Sequence, residues 1–331
     1  MEIGKLPNEI LSKIVFNNIK NKRKEVLVGA AIGEDNAILD FGDEVCIVSS
    51  DPITGATKDI GRLSIHISCN DVSSSGAEPI GVLLTILAPP YITEDDIEVI
   101  MKGAGEASKE LNVEIIGGHT EITDAVNRVV ISTTVIGKQK KKKMINSKDV
   151  KVGNKILMTK YAGIEGTAII AKELNDYLKG KVDEERIVEA KNMYNMISVV
   201  KEGVICGNIG VNYMHDITEG GILGAVWEAA VATNRGVKIY KDLIPMKNVT
   251  AVISNILNIN PYRLISSGSM LIIADEKKVN ILESKLKENG TKVTVIGEVI
   301  DEGILIEEDG KIKDIEAPSS DELYKALSIL Y

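Results

Sequence analysis

Apolar residues along this chain recur with two periods, and the places where one gives way to the other predict its elements. Leu6–Phe16 has Ile10, Leu11, Ile14 and Val15 at helical spacing. Strands are expected at Ala37–Asp40 and Val45–Ser49, separated by the turn Phe41-Gly42-Asp43. A helix is expected from Ile60 to Ser75, with Asp59 placed to cap it and Leu63 and Ile67 toward the core. Val82–Leu87 reads as a buried strand. Thr93 then caps a helix through Leu111, and Asp96 completes a capping-box pattern. Val113–Ile116 and Val129–Ile136 are further strands. In the second half, strands are expected at Lys155–Thr159, Ser269–Ala274 and Thr291–Val299. Helices are expected at Glu165–Leu174, Asp183–Glu202 and Gly220–Thr233. No short-period repeat interrupts this succession, which predicts an α/β (α+β) architecture.

Length divides the pattern in two. At roughly 100–200 residues per domain, 331 residues predict two domains, each large enough for its own core. The break falls between Lys138 and Lys151, where seven lysines gather and large apolar residues thin out, giving domains 1–145 and 146–331. Within it, Lys140–Lys143 reads as a solvated linker or hairpin. Aromatic residues are only 4% of the chain, so the cores are aliphatic and strand-rich.

Charge and cysteine usage narrow the function. A net charge of −9 argues against nucleic-acid binding, which needs cations to replace phosphate counterions. It leaves room for a small anion, because a bound metal ion reverses the local sign. The amino terminus shows no signal-peptide pattern, and the longest apolar stretch, residues 81–92, is broken by Pro89 and Pro90. It falls short of the ~20 residues that span a bilayer, so no membrane partner is expected. Cys46, Cys69 and Cys206 are widely spaced and form no C-x-x-C pair, which suits a reducing cytoplasm.

Five polar motifs stand out, each expected where a strand or helix ends. They are Gly33-Glu34-Asp35-Asn36-Ala37, Ser49-Ser50-Asp51-Pro52, Cys69-Asn70-Asp71-Val72, Gly117-Gly118-His119-Thr120-Glu121 and Met214 through Gly221. Carboxylates at element ends are the hard oxygen ligands that magnesium takes one or two at a time, alongside water and phosphates. Paired glycines admit a phosphate close to the backbone, and helix amino termini add N–H donors. Taken singly, each motif is equally well an ordinary turn.

Their order is more specific. Asp59 through Pro79 resembles, without a gap, the D-I-G-K-L-A-V-N-x-x-x-N-D-x-x-x-x-G-A-x-P stretch of the HypE branch of the aminoimidazole-ribonucleotide (AIR) synthase superfamily. Gly33–Ala37 resembles that family's G-D/E-D-x-A motif. Gly117–Thr120 is similar to G-G-D-T, Asp216–Gly221 to D-x-T-x-G-G, and Ser266–Ile272, more loosely, to S-D-G-T-L-L-I. The resemblance runs from about residue 27 to 300. It implies two α/β domains, the first pairing its sheet with a twin in a homodimer, and ATP in a cleft between the domains. Magnesium would bridge the triphosphate to Glu34, Asp35, Asp51 and Asp71. Asn70, Gly117, Gly118, Thr120, Glu121, Glu219, Gly220 and Gly221 would contact the nucleotide, with Asp71, His119 and Asp216 at the chemistry. The implied reaction is attack of a small substrate's oxygen on the γ-phosphoryl group. In thiamine-monophosphate kinase the phosphorylated compound is the product, whereas in HypE and AIR synthase phosphorylation activates an oxygen for loss. A small-molecule kinase or phosphatase unrelated to hydrogenase maturation is one alternative, and a nucleotide-binding accessory protein without turnover is the other.

The chain also departs from the pattern. HypE carries its thiocarboxamide on a terminal cysteine, whereas this sequence ends in Tyr331 and its last cysteine is Cys206. Modification of its own tail is therefore not expected. The opening lacks the H-G-S-G-G loop, leaving Lys5 after Gly4 as either a phosphate contact or a solvated side chain. His66 stands where HypE has Asn, and His119 where the family has the Asp of G-G-D-T; His215 is the third histidine. Each either orients a ligand from a polar position behind it or joins a mixed oxygen–nitrogen site, with manganese as the alternative ion. Cys69 reads as a small buried residue rather than a nucleophile.

Overall fold

The computed structural model describes residues 10–15, 19, 23–31, 36–54 and 59–330. The first half folds as a six-stranded sheet of β1 (Val26–Val28), β2 (Ala37–Asp40), β3 (Glu44–Ile53), β4 (Glu78–Ala88), β5 (Glu114–Ile122) and β6 (Val130–Lys140). Their order is β1-β2-β3-β6-β4-β5, and only β4 and β5 run parallel. Parallel neighbours require a crossover, which α2 (Glu94–Leu111) supplies. Thr93 and Asp96 form the expected reciprocal capping box at its start. β3 pairs with β6 along its whole length, burying Val45, Ile47 and Ser49 on one face.

Against that face lies α1 (Ile60–Ser74), the helix that organises the molecule. Every residue in it except Arg62 is buried. The first sheet covers one side, α2 another, and elements of the second half a third. Contact with α2 is so close that a Cβ on Gly61 would lie 2.0 Å from the Ile100 carbonyl oxygen. Leu63 and Ile67 pack into the second half's own core, beside Ile164, Ala168 and Leu264. A helix enclosed on all sides gains by pairing polar groups with its own backbone. Ser64 and Ser74 therefore donate to the carbonyls of Gly61 and Asp71, each back along the helix.

A seven-stranded sheet forms the second half: β7 (Lys155–Thr159), β8 (Tyr213–Asp216), β9 (Gly236–Tyr240), β10 (Met270–Ala274), β11 (Val293–Ile300), β12 (Ile304–Glu308) and β13 (Lys311–Asp314). The order is β13-β12-β9-β11-β7-β10-β8. The helices needed below are α3 (Ile164–Glu173), α4 (Glu184–Asn192), α5 (Val200–Ile209), α6 (Gly221–Thr233) and α7 (Glu322–Leu327). Among the described residues, no helix is long and apolar enough to cross a membrane.

Three local expectations are corrected. The single helix expected over Asp183–Glu202 is broken into α4, a 3-10 turn at Met193–Met196 and α5. The break occurs where residues 197–199 turn to meet α1. Asp59 makes no side-chain cap and instead pairs with Lys172 of α3. The Gly117–Glu121 motif does not lie on a loop past a strand end. β5 runs on to Ile122, because its backbone pairs with β4 from Gly81↔Glu114 to Ala88↔Ile122. Ser49–Pro52 likewise lies within β3, and Cys69–Val72 within α1. Of the expected Leu6–Phe16 helix, only Ile10–Val15 is described, ending in a π-helical turn at Leu11–Val15. Lys5 lies outside the described residues.

Candidate functional site

Asp51 and Asp71 come from a strand and a helix of the first half that pack together. Along β3 the side chains alternate, so Asp51 lies on the same face as buried Ser49, two residues nearer the strand's end. Ser49 Oγ donates to Asp71 Oδ2 across 2.9 Å, which ties the last turn of α1 to that face. Asn36 Nδ2 also reaches the Asp71 carbonyl oxygen, at 2.7 Å. Asp71 is 8% exposed, so its carboxylate is largely shielded from solvent. The donors are oxygen only, the chemistry a hard divalent cation selects. Glu34 and Asp35, the other expected metal ligands, lie outside the described residues. Among the described residues, no group of three or more His, Cys, Asp or Glu side chains is clustered to hold a metal.

One residue before Asp71, Asn70 faces the second half. Its Nδ2 donates to the Ile197 carbonyl oxygen at 2.7 Å, and its Oδ1 accepts from Val199 N–H at 2.8 Å. The amide is thus spent fastening the two halves together. The neighbouring Cys69 is fully buried, and burial pushes its thiol up to about 12, which removes it as a nucleophile.

The second half contributes the turn after β8. Asp216, 1% exposed, closes that strand opposite Met270, and α1 packs against the strand. Gly220 and Gly221 follow in left-handed backbone (φ +84° and +60°) and open α6. A Cβ on Gly221 would lie 2.6 Å from the Tyr262 carbonyl oxygen, so no side chain fits there. Glu219 Oε1 accepts from Tyr324 OH at 3.0 Å. The result is a sharp turn at a helix amino terminus, with Gly220 N–H given to Asp321 Oδ2 at 2.7 Å and Gly221 N–H to the Thr218 carbonyl oxygen at 3.1 Å.

Gly117 through Glu121 occupy the exposed edge strand β5, away from the Ser49–Asp71 contact. Gly118 is dictated by its neighbour in the sheet, since a Cβ there would lie 1.9 Å from the Leu84 carbonyl oxygen. His119 and Glu121 point the same way, Nε2 to Oε2 3.5 Å apart, and both are mostly exposed, as is Thr120. His66 lies elsewhere again, between α1 and α2. Burial, reinforced by Arg62, pulls its imidazole down to about 4, so it is neutral near pH 7. Arg62 meanwhile holds Glu110 through two bonds of 2.8 and 2.7 Å. His215, on β8, is buried with Nε2 2.8 Å from Glu228 Oε2.

Four ionisable residues that sequence reasoning missed surround the second-half loops. Lys160, in left-handed backbone at the end of β7, is buried against Glu202 and donates to the carbonyls of Ser198 (2.7 Å) and Gly268 (2.6 Å). Burial lowers its ammonium, and Glu202 opposes that. Glu165, in the first turn of α3, is fully enclosed. Burial pushes its carboxyl up to about 7, with Asp321 and Glu219 adding to the rise and Ser267 opposing it. Asp321 is raised to about 6, again mainly by burial. Glu165 lies in the stretch Gly163-Ile164-Glu165-Gly166. A lone acid among Gly and Ile at a helix start was the available signal for a buried functional carboxyl.

Comparison with known proteins agrees with this arrangement. The model of the AIR synthase related protein N-terminal domain matches residues 33–139, and that of the C-terminal domain matches residues 151–309. A Methanocaldococcus jannaschii protein named for hydrogenase expression/formation is 29% identical over 314 residues, covering 92% of this chain and 91% of its own. The carbamoyl dehydratase HypE of Bradyrhizobium diazoefficiens is 22% identical over 279 residues, covering 82% and 79%. A solved structure of the hydrogenase maturation protein HypE in complex with ATP has the same fold, with a TM-score of 0.72 at 19% identity, covering 98% of this chain and 97% of that one. The chain belongs to the AIR synthase related family.

Proposed function

We propose that this protein binds Mg-ATP between its two halves and uses it to phosphorylate a small substrate, or to activate one by phosphorylation. The observation that carries the reading is the Ser49–Asp71 contact, which ties a carboxylate of α1 to the face of β3 that also carries Asp51. Asp51 and Asp71, with Glu34 and Asp35, would hold magnesium, and the two first-named supply the oxygen donors it prefers. The Gly220–Gly221 turn at the amino end of α6 would face the phosphates, and Glu219 and Asp216 would line the second-half wall. Gly117, Gly118, His119, Thr120 and Glu121 would belong to the edge where a second copy pairs, His119 acting there as a proton carrier. When bound, Mg-ATP supplies the phosphoryl group; the chain's own residues orient it and exclude water.

Enclosure supports that role, since the buried surroundings of Asp71 and Asp216 strengthen whatever charge pairing they make. A homodimer is part of the reading. β4 and β5 leave Ile80, Leu83 and Ile116 exposed at 42%, 37% and 50%, an apolar patch that a twin sheet would cover. The relatives named for hydrogenase formation and for HypE support a place in hydrogenase maturation. Cys69 and Cys206 are both buried with thiols pushed up to about 12, so neither is the acceptor. In this reading the acceptor is a separate small molecule. Incubation with Mg-ATP and a metabolite pool tests this. The reading expects substrate-dependent ADP formation; a stable phosphorylated product identifies a kinase, and free phosphate with a dehydrated product identifies an activating enzyme. ATP binding without turnover against any pool would reduce the chain to a nucleotide-binding accessory protein.

A further inference from the structure

We propose that Asp321 is a positioning residue, through which the carboxyl-terminal segment holds the Gly220–Gly221 turn in shape for its ligand. The inference rests on the reading of that turn as a phosphate contact. Asp321 is 3% exposed and its carboxylate accepts from three backbone N–H groups on three different segments. Oδ2 takes Gly220 N–H at 2.7 Å, and Oδ1 takes Ile265 N–H at 3.2 Å and Leu323 N–H at 2.8 Å. The last of these caps α7. One carboxylate therefore joins α7, the turn after β8 and the segment that leads into Ser266–Ser269.

The surrounding contacts make the segment a strap rather than a loose end. Arg263 donates to the carbonyls of Glu316 (2.8 Å) and Ala317 (3.4 Å), fixing the strap where it approaches the turn. A Cβ on Gly220 would lie 3.2 Å from Pro318 Cβ, so the strap covers the turn directly. Tyr324 adds its bond to Glu219, and Lys325 Nζ binds the Asn258 carbonyl oxygen at 2.6 Å. A glycine in left-handed backbone does not hold itself in place, because that residue type has the largest conformational freedom. An outside acceptor is what selects one geometry for Gly220 N–H. A charged acceptor does this more strongly than a neutral one.

The groups facing Asp321 are Glu219 and Glu165, both acids, while the nearby cations Arg263 and Lys325 are spent on carbonyls. Protonating Asp321 or replacing it with Asn leaves one of its three donors poorly matched. Hydrogen exchange followed by mass spectrometry reads this on the peptide covering residues 217–224, independently of any ligand. Asp321→Asn should lower protection there by about ten-fold or more, the scale of losing a bond to a charged acceptor. Tyr324→Phe, which leaves Asp321 intact, should change it far less. If Asp321→Asn does not fold, Arg263→Gln still decides, because it loosens the strap at Glu316 and Ala317 and leaves Asp321 in place; protection of that peptide should fall there too, while a peptide within α1 stays constant. Equal protection in wild type and in the folded variant overturns the assignment. Calorimetry with Mg-ATP then separates the two claims. Failure of the wild type to bind sinks the proposed function alone. Binding by the wild type with unchanged affinity in Asp321→Asn sinks the positioning role.

Discussion

Glu165→Gln is the perturbation whose outcome follows most directly from the structure. Burial raises this carboxyl from an ordinary 4.5 to about 7, with Asp321 and Glu219 contributing as like charges. A raised acid is held more tightly in its protonated form by the folded state than by the unfolded chain. Its stabilising contribution is therefore complete below about pH 4.5 and is lost as pH rises through about 7. At 25 °C that interval corresponds to about 3 kcal/mol. Gln has nearly the same shape and cannot ionise, so the variant escapes the loss. Asp321, raised to about 6, titrates in the same direction but is present in both proteins, and it largely cancels in the difference. Urea unfolding at a series of pH values from 5 to 8.5 measures that difference. Relative to wild type, Glu165→Gln should gain about 2–3 kcal/mol across the range, whatever offset the lost Ser267 contacts impose at pH 5. Parallel curves would refute the reasoning, because they would mean the carboxyl ionises as freely folded as unfolded.

Lys160→Ala should cost about 3–5 kcal/mol, because it strands Glu202 as an unpaired buried charge and frees the Ser198 and Gly268 carbonyls; chemical denaturation checks this, and a loss below 1 kcal/mol would contradict it. Leu63→Ala should cost about 2–5 kcal/mol, since this residue of α1 fills the second half's core, and a single cooperative transition should persist. Leu83→Glu, on the exposed side of β4, should shift the protein toward monomer in light scattering; an unchanged mass would reject that patch as the dimer contact.

Much of the fold was legible where a segment's period decided its fate alone. Ala37–Asp40 and Lys155–Thr159 are strands with the expected bounds, and the Thr93–Asp96 pattern does cap α2. What sequence could not reveal were consequences of long-range pairing. The extension of β5 through Gly117–Glu121 depends on β4 lying alongside, which no local pattern records. The break near Met196 likewise exists because Asn70, more than a hundred residues earlier, binds the backbone at Ile197 and Val199. At the site, the acids of β3 and α1 were readable as motifs. Lys160 and Asp321 were not, because an ionisable residue between ordinary neighbours looks like any surface charge until the fold closes around it, and for Glu165 the only signal was its place among Gly and Ile at a helix start. His66 illustrates the converse: its place in a matched motif suggested chemistry, but the fold buries it between two helices beside Arg62.

The central claim is an acidic Mg-ATP site built on Asp51 and Asp71. Isothermal titration of the protein with ATP, with and without magnesium, tests it most directly when repeated on Asp51→Ala and Asp71→Ala. The account predicts magnesium-dependent binding by the wild type and its loss in both variants, each still folded by circular dichroism. Wild-type affinity for Mg-ATP in both folded variants would contradict it.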